Sequence, residues 1–200
     1  KRKYLIMHGF SFSEIAEALQ VKPLQQYSDP MIESLLTDSR KLVFPEKTLF
    51  FPISSANKNA HLFFAPLYEK GVRCFIAGRE FKTIDLSAFP EANIIQVSDV
   101  MAALQQIVTR HRHLFTYPVI GITGSNGKTI VKEWLYQLLN ERFNIVRNPK
   151  SYNSQVGVPL SVWQMNDAHT LGIFEAGISR RNEMTLLEKK SKIILTDSGG

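Results

Sequence analysis

Pro118-Val-Ile-Gly-Ile-Thr-Gly-Ser-Asn-Gly-Lys128-Thr129, followed by Ile130-Val-Lys-Glu-Trp-Leu135, decides the fold class. Val119, Ile120 and Ile122 read as a buried strand. Val131, Trp134, Leu135 and Leu138 recur at i, i+3, i+4 and i+7, which predicts a helix with those four on its buried face. Between strand and helix lies a glycine-rich turn. Gly124 and Gly127 can take positive φ, which lets backbone N–H groups converge on an anion, and the helix start near Lys128 adds the positive end of its dipole. Lys128 supplies charge for β- and γ-phosphate oxygens, and the Thr129 hydroxyl suits Mg2+, the reason a Ser or Thr follows the lysine in such loops. Gly124, Ser125, Asn126, Gly127, Lys128 and Thr129 are thus the candidate phosphate site.

Spacing narrows the choice of loop. The general phosphate loop has four residues between its glycines and would need a glycine at Ile122, so this is the shorter G-x-x-G-K-T. A dinucleotide fingerprint needs G-x-G-x-x-G, whereas Gly121, Gly124 and Gly127 are evenly spaced. A structural turn carrying a chance lysine is the plainer alternative, and it leaves the flanking strand and helix unexplained.

Outward from the loop, the chain alternates α and β. Upstream, Ser11 and Glu14 form a capping-box pattern for a helix over Ser13 to Leu19. Ile32 to Leu36 and Thr48 to Ile53 read as strands, Ala60 to Lys70 as a helix stopped by Gly71, and Arg73 to Ala77 and Asn93 to Val97 as buried strands. Val100, Ala103, Leu104, Ile107 and Val108 then predict a helix capped by Asp99 or Ser98. His111-Arg112-His113 reads as a solvated linker rather than a metal site, since no third ligand is spaced to complete one. A domain boundary is placed after residue 116. Downstream, Thr170 to Glu175 reads as a buried strand with Glu175 at its C-terminal end, where parallel sheets bind ligands. Trp134 and Trp163 sit in apolar patterns and read as core.

The 200 residues contain 44% hydrophobic and 21% charged side chains, within the range of globular proteins. With 24 Lys+Arg against 18 Asp+Glu the net charge is +6, which favours anionic partners. The basic residues are dispersed and lack a basic-aromatic platform, so nucleic acid is not expected. The single Cys74 cannot form an internal disulfide and suits a reducing compartment, with cytoplasm as the default. No apolar run is long enough for a membrane span, and Lys1-Arg2-Lys3 leads only into the short run Tyr4 to Met7.

Thr123-Gly-Ser-Asn-Gly-Lys-Thr129 resembles the ATP-binding loop of the Mur ligases, the amide-forming ligases of peptidoglycan precursor synthesis. Asn153-Ser-Gln-Val-Gly-Val-Pro-Leu160 resembles that family's N-x-I-G-x-P-L segment. Leu36-Thr-Asp-Ser-Arg40, Thr48-Leu-Phe-Phe51 and His61 resemble its uridine-nucleotide-binding N-terminal domain. The Val156-to-Pro159 wording and the Phe174-Glu175-Ala-Gly177 strand end are most similar to members that add D-alanyl-D-alanine to UDP-N-acetylmuramoyl-tripeptide. Ile53 to His61, with Asn57-Lys-Asn-Ala60, is similar to the ligase half of bifunctional members in which an alanine racemase follows.

The resemblance implies an α/β protein with two parts: a small uridine-nucleotide domain over 1–116 and the beginning of a phosphate-loop ATPase domain over 117–200. It implies ATP and Mg2+ as cofactors, Lys128 as catalytic, Thr129 and Glu175 as metal ligands, and Ser39, Arg40, His61 and Asn153 as substrate-binding residues. In the implied reaction ATP phosphorylates the tripeptide carboxylate, and the dipeptide amine displaces phosphate to form an amide. The sequence departs from the family where Ser151 and Ser154 replace asparagines, where Asn59-Ala60 replaces Asp-Gly, and where Asp197 replaces Asn. The family's modified lysine, adenine-binding residues and C-terminal domain have no counterpart here, so the chain alone is not expected to ligate. The alternatives are another phosphate-loop ligase or kinase, or a non-catalytic nucleotide-binding module.

Overall fold

The computed structural model describes residues 9–53, 60–79, 85–177 and 196–197. Contacts divide the chain into two units, residues 8–107 and the chain from Val108 onward together with its first seven residues. Lys1 to Met7, Asn57 to Asn59 and all but two residues of the Lys192 to Gly200 segment lie outside the described residues. Of His61 only the backbone is described, in the 3-10 turn Ala60–Phe63.

In the first unit, strand β1 (Phe10–Ser11) leads into helix α1 (Phe12–Ala18). Ser11 closes the expected capping box: its hydroxyl accepts from Glu14 N–H, and the Glu14 carboxylate accepts from Ser11 N–H at 2.8 Å. The next apolar stretch forms β2 (Met31–Ile32), antiparallel to β1, and β3 (Ser34–Leu36). Then come β4 (Thr48–Phe50), helix α2 (Phe64–Glu69), β5 (Cys74–Ala77), β6 (Asn93–Gln96) and helix α3 (Val100–Arg112), whose residues from Val108 onward are counted with the second unit. Gly71 follows α2 with φ +95°, the left-handed stop its position predicts. Strands β3, β4, β5 and β6 form a parallel sheet in that order.

Nearly every residue of β4, β5 and β6 is buried, as parallel strands covered on both faces must be. Phe64 and Phe75 pack at 4.6 Å between ring centroids, with Phe50 edge-on to Phe64 at 5.9 Å. Each such ring contributes about 1.5–3 kcal/mol by leaving water. Asp99 caps α3, its Oδ1 accepting from Met101 and Ala102 N–H at 2.8 and 3.0 Å.

The second unit contains β7 (Val119–Thr123), α4 (Lys128–Leu139), β8 (Ile145–Arg147), α5 (Gly157–Val162), β9 (Leu171–Glu175) and β10 (Thr196–Asp197). Its strands are parallel in the order β10-β7-β9-β8. From β7 the chain crosses to β8 on one side, and from β9 it returns to β10 on the other. Adjacent β7 and β9 therefore flank a topological switch point, the crevice where open α/β sheets bind ligands.

Two expectations fail in this unit. Trp134 and Leu138 do not line the buried face of α4; they are 63% and 75% exposed. The inward face is formed by Val131, Leu135 and Leu139 together with fully buried Lys132, because a lysine occupies the central inward position. His111-Arg112 is not a solvated linker but the buried end of α3. The His111 ring stacks on Trp163 at 4.5 Å and its Nε2 lies 3.1 Å from Met165 O. One turn past Val108, His111 continues the helix's apolar face, which overrides its polar appearance. Trp163 is core, as expected.

Candidate functional site

The chain leaves β7 at Thr123 and turns through Gly124 at φ 137° and Gly127 at φ 76° before α4 begins at Lys128. Gly127 is the N-cap residue and no side chain caps this helix, so its first N–H groups face an open loop. Lys128 folds back over that loop, its Nζ donating to Gly124 O at 2.6 Å and Ser125 O at 3.3 Å. Ser125 to Ile130 line a cavity of about 290 Å³, and Asn153 closes it from a distant stretch of chain. The loop thus assembles backbone donors, a helix N-terminus and an ammonium around a space that suits phosphates.

Asn153 donates its N–H to Ser151 O and accepts from Gly177 N–H at 2.9 Å, which ties the segment to the chain just past β9. It does not cap α5; Ser154 Oγ accepts from Gly157 N–H at 3.0 Å instead. Gly157 is required where it stands, because a Cβ there would lie 2.8 Å from Tyr152 O.

Beside the loop, Glu175 ends β9 and pairs in register with Ile122 of β7. Its side chain is fully buried, and neither carboxylate oxygen has a hydrogen-bond partner among the described residues. A buried carboxylate left so is costly unless a cation completes it. One carboxylate beside a phosphate-binding loop is the donor set Mg2+ takes, since that ion binds through one or two carboxylates plus substrate phosphates and keeps waters. Glu175 and Thr129 therefore fit the ion implied by the resemblance. Thr123 Oγ1, at the end of β7, is likewise buried without a hydrogen-bond partner among the described residues.

Two residues of this site escaped sequence reasoning. Asn148 is fully buried and brackets Glu175: its Oδ1 accepts from Glu175 N–H at 2.7 Å while its Nδ2 donates to Glu175 O at 3.1 Å and Tyr152 O at 2.8 Å. Lys132, one turn after Lys128, donates from Nζ to Asn148 O at 3.1 Å and to Lys150 O. The same Nζ lies 3.5 Å from Glu133 Oε1 and 3.6 Å from Glu175 Oε2. Glu133 also holds Arg147, whose guanidinium lies over the Tyr136 ring at 3.8 Å. The one signal for Lys132 was its place between Val131 and Leu135 on the inward face.

In the first unit, Ser39 and Arg40 lie in a 3-10 turn, Ser39–Lys41, just beyond the C-terminal end of β3. Asp38 accepts from Arg40 Nε at 2.9 Å and Nη2 at 2.7 Å, and this bond holds the Asp38 carboxyl down at about 2. The Arg40 side chain stays 87% exposed, so its fork is preset yet open to solvent. At the same C-terminal end, Pro52 and Ile53 after β4, Gly78 after β5 and Ser98 and Asp99 after β6 line a cavity of about 340 Å³. A second, of about 480 Å³, is lined by Arg79, Gln96, Ser98 and Gln106 among others. Sequence reasoning named neither. Among the described residues no helix is long and apolar enough to cross a membrane, and no three His, Cys, Asp or Glu side chains gather as a metal cluster.

The chain is similar to known proteins. Residues 122–195 match the Mur ligase middle domain. The chain is 30% identical over 166 residues to the UDP-N-acetylmuramoyl-tripeptide–D-alanyl-D-alanine ligase of Bacillus subtilis, covering 82% of this chain and 35% of that protein. It is 31% identical over 183 residues to the Treponema pallidum protein of the same name, covering 88% and 39%. The chain thus spans little more than a third of these relatives. Among solved structures, a MurF crystal structure from Acinetobacter baumannii superposes with a TM-score of 0.80 at 24% identity, over 96% of this chain and 40% of that one. The Thermotoga maritima MurF ligase in complex with ADP superposes at 0.67 and 24% identity, over 82% and 37%.

Proposed function

Because the chain belongs to the Mur ligase family, we propose that the protein joins D-alanyl-D-alanine to UDP-N-acetylmuramoyl-tripeptide at the expense of ATP. The observation that carries this reading is the pairing of an open phosphate loop after β7 with a buried carboxylate ending adjacent β9 that accepts no hydrogen bond among the described residues. Residues 1–116 hold the uridine nucleotide and residues 117–200 begin the ATP domain. The lone buried Cys74 fits a cytoplasmic setting.

In this reading the loop N–H groups and the α4 N-terminus hold the ATP phosphates. Lys128 leaves its loop carbonyls to neutralise the transferring phosphoryl group as the tripeptide carboxylate attacks. Mg2+, when bound, supplies charge neutralisation to phosphate oxygens, with Thr129 and Glu175 as its protein ligands. Asn153 closes the phosphate cavity and orients what enters it. The acyl phosphate forms on the tripeptide as ADP leaves, and the dipeptide amine then attacks its carbonyl carbon, giving up a proton as the amide forms and phosphate departs. Ser39, Arg40 and His61 grip the nucleotide end of the substrate, where a guanidinium fork suits a diphosphate.

The test is phosphate release by the full-length protein with each substrate omitted in turn. Release that needs ATP, the nucleotide tripeptide and the dipeptide together supports the reading. Release with ATP and some other acceptor, and no affinity for the uridine nucleotide, replaces it with a different phosphate-loop ligase or kinase.

A further inference from the structure

Lys132 is fully buried, and its ammonium reaches four places. Nζ donates to the backbone carbonyls of Asn148 and Lys150, and stands 3.5 Å from Oε1 of Glu133, which is half-exposed and also held by Arg147, and 3.6 Å from Oε2 of the fully buried Glu175. The first two contacts pin the segment that carries Asn148, which itself brackets the Glu175 backbone from both sides. The contact with Glu175 is an ion pair longer than a hydrogen bond, so it balances the Glu175 charge without occupying an oxygen lone pair. A lysine donating directly to the carboxylate would take up one of the positions a metal ion needs. Here two carbonyls absorb the ammonium's donors and hold it off.

We propose that Lys132 is a positioning residue that acts through Glu175: it presents a buried, charge-balanced and uncommitted carboxylate to the Mg2+ that accompanies the nucleotide. This rests on Glu175 being a metal ligand, as read above. Lys132 lies one helical turn from Lys128, so α4 carries one lysine for the phosphates and one for the metal-binding carboxylate. Loss of the ammonium leaves Glu175 buried without a counter-charge. The carboxylate then turns toward water or draws it in, and the metal position is lost while the phosphate loop stays intact.

The experiment is calorimetric titration of ADP into the full-length protein, with Mg2+ and with the metal chelated, for wild type, Lys132→Met, Glu175→Gln and the double variant. Lys132→Met is expected to bind metal-free ADP within about 2-fold of wild type and to lose about 10-fold or more of the Mg2+-dependent gain, a tenfold loss being one step in binding energy. A wild-type Mg2+ gain in Lys132→Met overturns the proposal. A wild-type gain in Glu175→Gln overturns the metal-ligand reading beneath it, which is a distinct result. Thermal unfolding provides a second measurement if Lys132→Met folds poorly. Neutralising both partners in Lys132→Met/Glu175→Gln should recover most of a loss expected at roughly 10 °C. No recovery makes Lys132 a mere anchor for the carbonyls of Asn148 and Lys150, and overturns its action through Glu175.

Discussion

Asn148 and Glu175 exchange two hydrogen bonds, Glu175 N–H to Asn148 Oδ1 at 2.7 Å and Asn148 Nδ2 to Glu175 O at 3.1 Å, so one buried amide fixes the end of β9. The same Nδ2 donates to Tyr152 O. Asn148→Ala strands a buried N–H and two carbonyls at once, and should destabilise the full-length protein by about 2–4 kcal/mol in denaturant unfolding. Asn148→Asp should be worse. It keeps the acceptor for Glu175 N–H but sets a carboxylate against two carbonyl oxygens and near Glu175. Equal stability of Asn148→Asp and wild type would refute the bracket.

Among the described residues, the Lys128 ammonium hydrogen-bonds only to loop carbonyls, Gly124 O and Ser125 O. Its removal should therefore cost about 0.5 kcal/mol or less in stability. Turnover is another matter, because a charge placed on a transferring phosphoryl group carries about 100-fold or more in rate. Lys128→Ala in the full-length protein should lose that activity and keep its affinity for the uridine nucleotide, measured by calorimetry. Near-normal turnover would displace the phosphate-loop assignment.

What the residues disclosed in advance were local devices. The Ser11–Glu14 capping box, Asp99 as a cap, Gly71 as a stop and the Gly124-to-Thr129 loop each lie within a few positions of the chain, where residue type and spacing fix the physics. Glu175 was legible because it ends an apolar strand. Lys132 and Asn148 were not, because a helical lysine counts as solvated until its acceptors, the carbonyls of Asn148 and Lys150, arrive from another element. The same blindness set Trp134 and Leu138 inside and His111 outside: the inward face of α4 is set by what Lys132 finds there, and the end of α3 by the Trp163 ring. The cavities beyond β4, β5 and β6 were hidden for a related reason, since they are made by chain leaving three separate strand ends.

Arg40 is preset by Asp38 and open to solvent. Arg40→Ala should weaken binding of UDP-N-acetylmuramoyl-tripeptide by about 10-fold, the worth of one charge-assisted contact. ADP binding should not change. The Asp38 carboxyl, held at about 2 chiefly by the Arg40 hydrogen bond, should return toward its ordinary 3.8, which carbon-detected NMR titration reads directly. Identical uridine-nucleotide affinity in both proteins would remove the Asp38-Ser39-Arg40 turn from the substrate site.

Gly157 and Gly127 should both resist alanine, for different reasons. At Gly157 the new Cβ meets Tyr152 O at 2.8 Å and Tyr152 C at 2.9 Å, backbone atoms that cannot rotate away, so roughly 1–3 kcal/mol of overpacking is expected. At Gly127 nothing lies within 4 Å, and the cost is φ +76° alone, about 1–2 kcal/mol. Asparagine tolerates that conformation better than alanine. Gly127→Asn should thus recover part of the stability lost in Gly127→Ala, while Gly157→Asn should fall below Gly157→Ala. Denaturant midpoints for the four variants separate the two causes, and the same ranking at both positions would contradict them.

Cys74 is buried in β5, 3.6 Å from Asn93 Nδ2, and burial pushes its thiol up to about 12 against an ordinary 9.0. The unfolded chain therefore releases the Cys74 proton first as pH rises. Below pH 9 both states hold it and stability is independent of this group; between 9 and 12 the native state binds more protons than the unfolded one, and stability falls with pH. Cys74→Ala should flatten that alkaline limb, at the cost of a small cavity lowering the whole curve. The native thiol should also resist a thiol-specific reagent at pH 8 and react only on unfolding, because both burial and the lack of thiolate protect it. Rapid labelling of the native protein, or an unchanged alkaline limb in Cys74→Ala, would show that the thiol is neither sealed nor shifted.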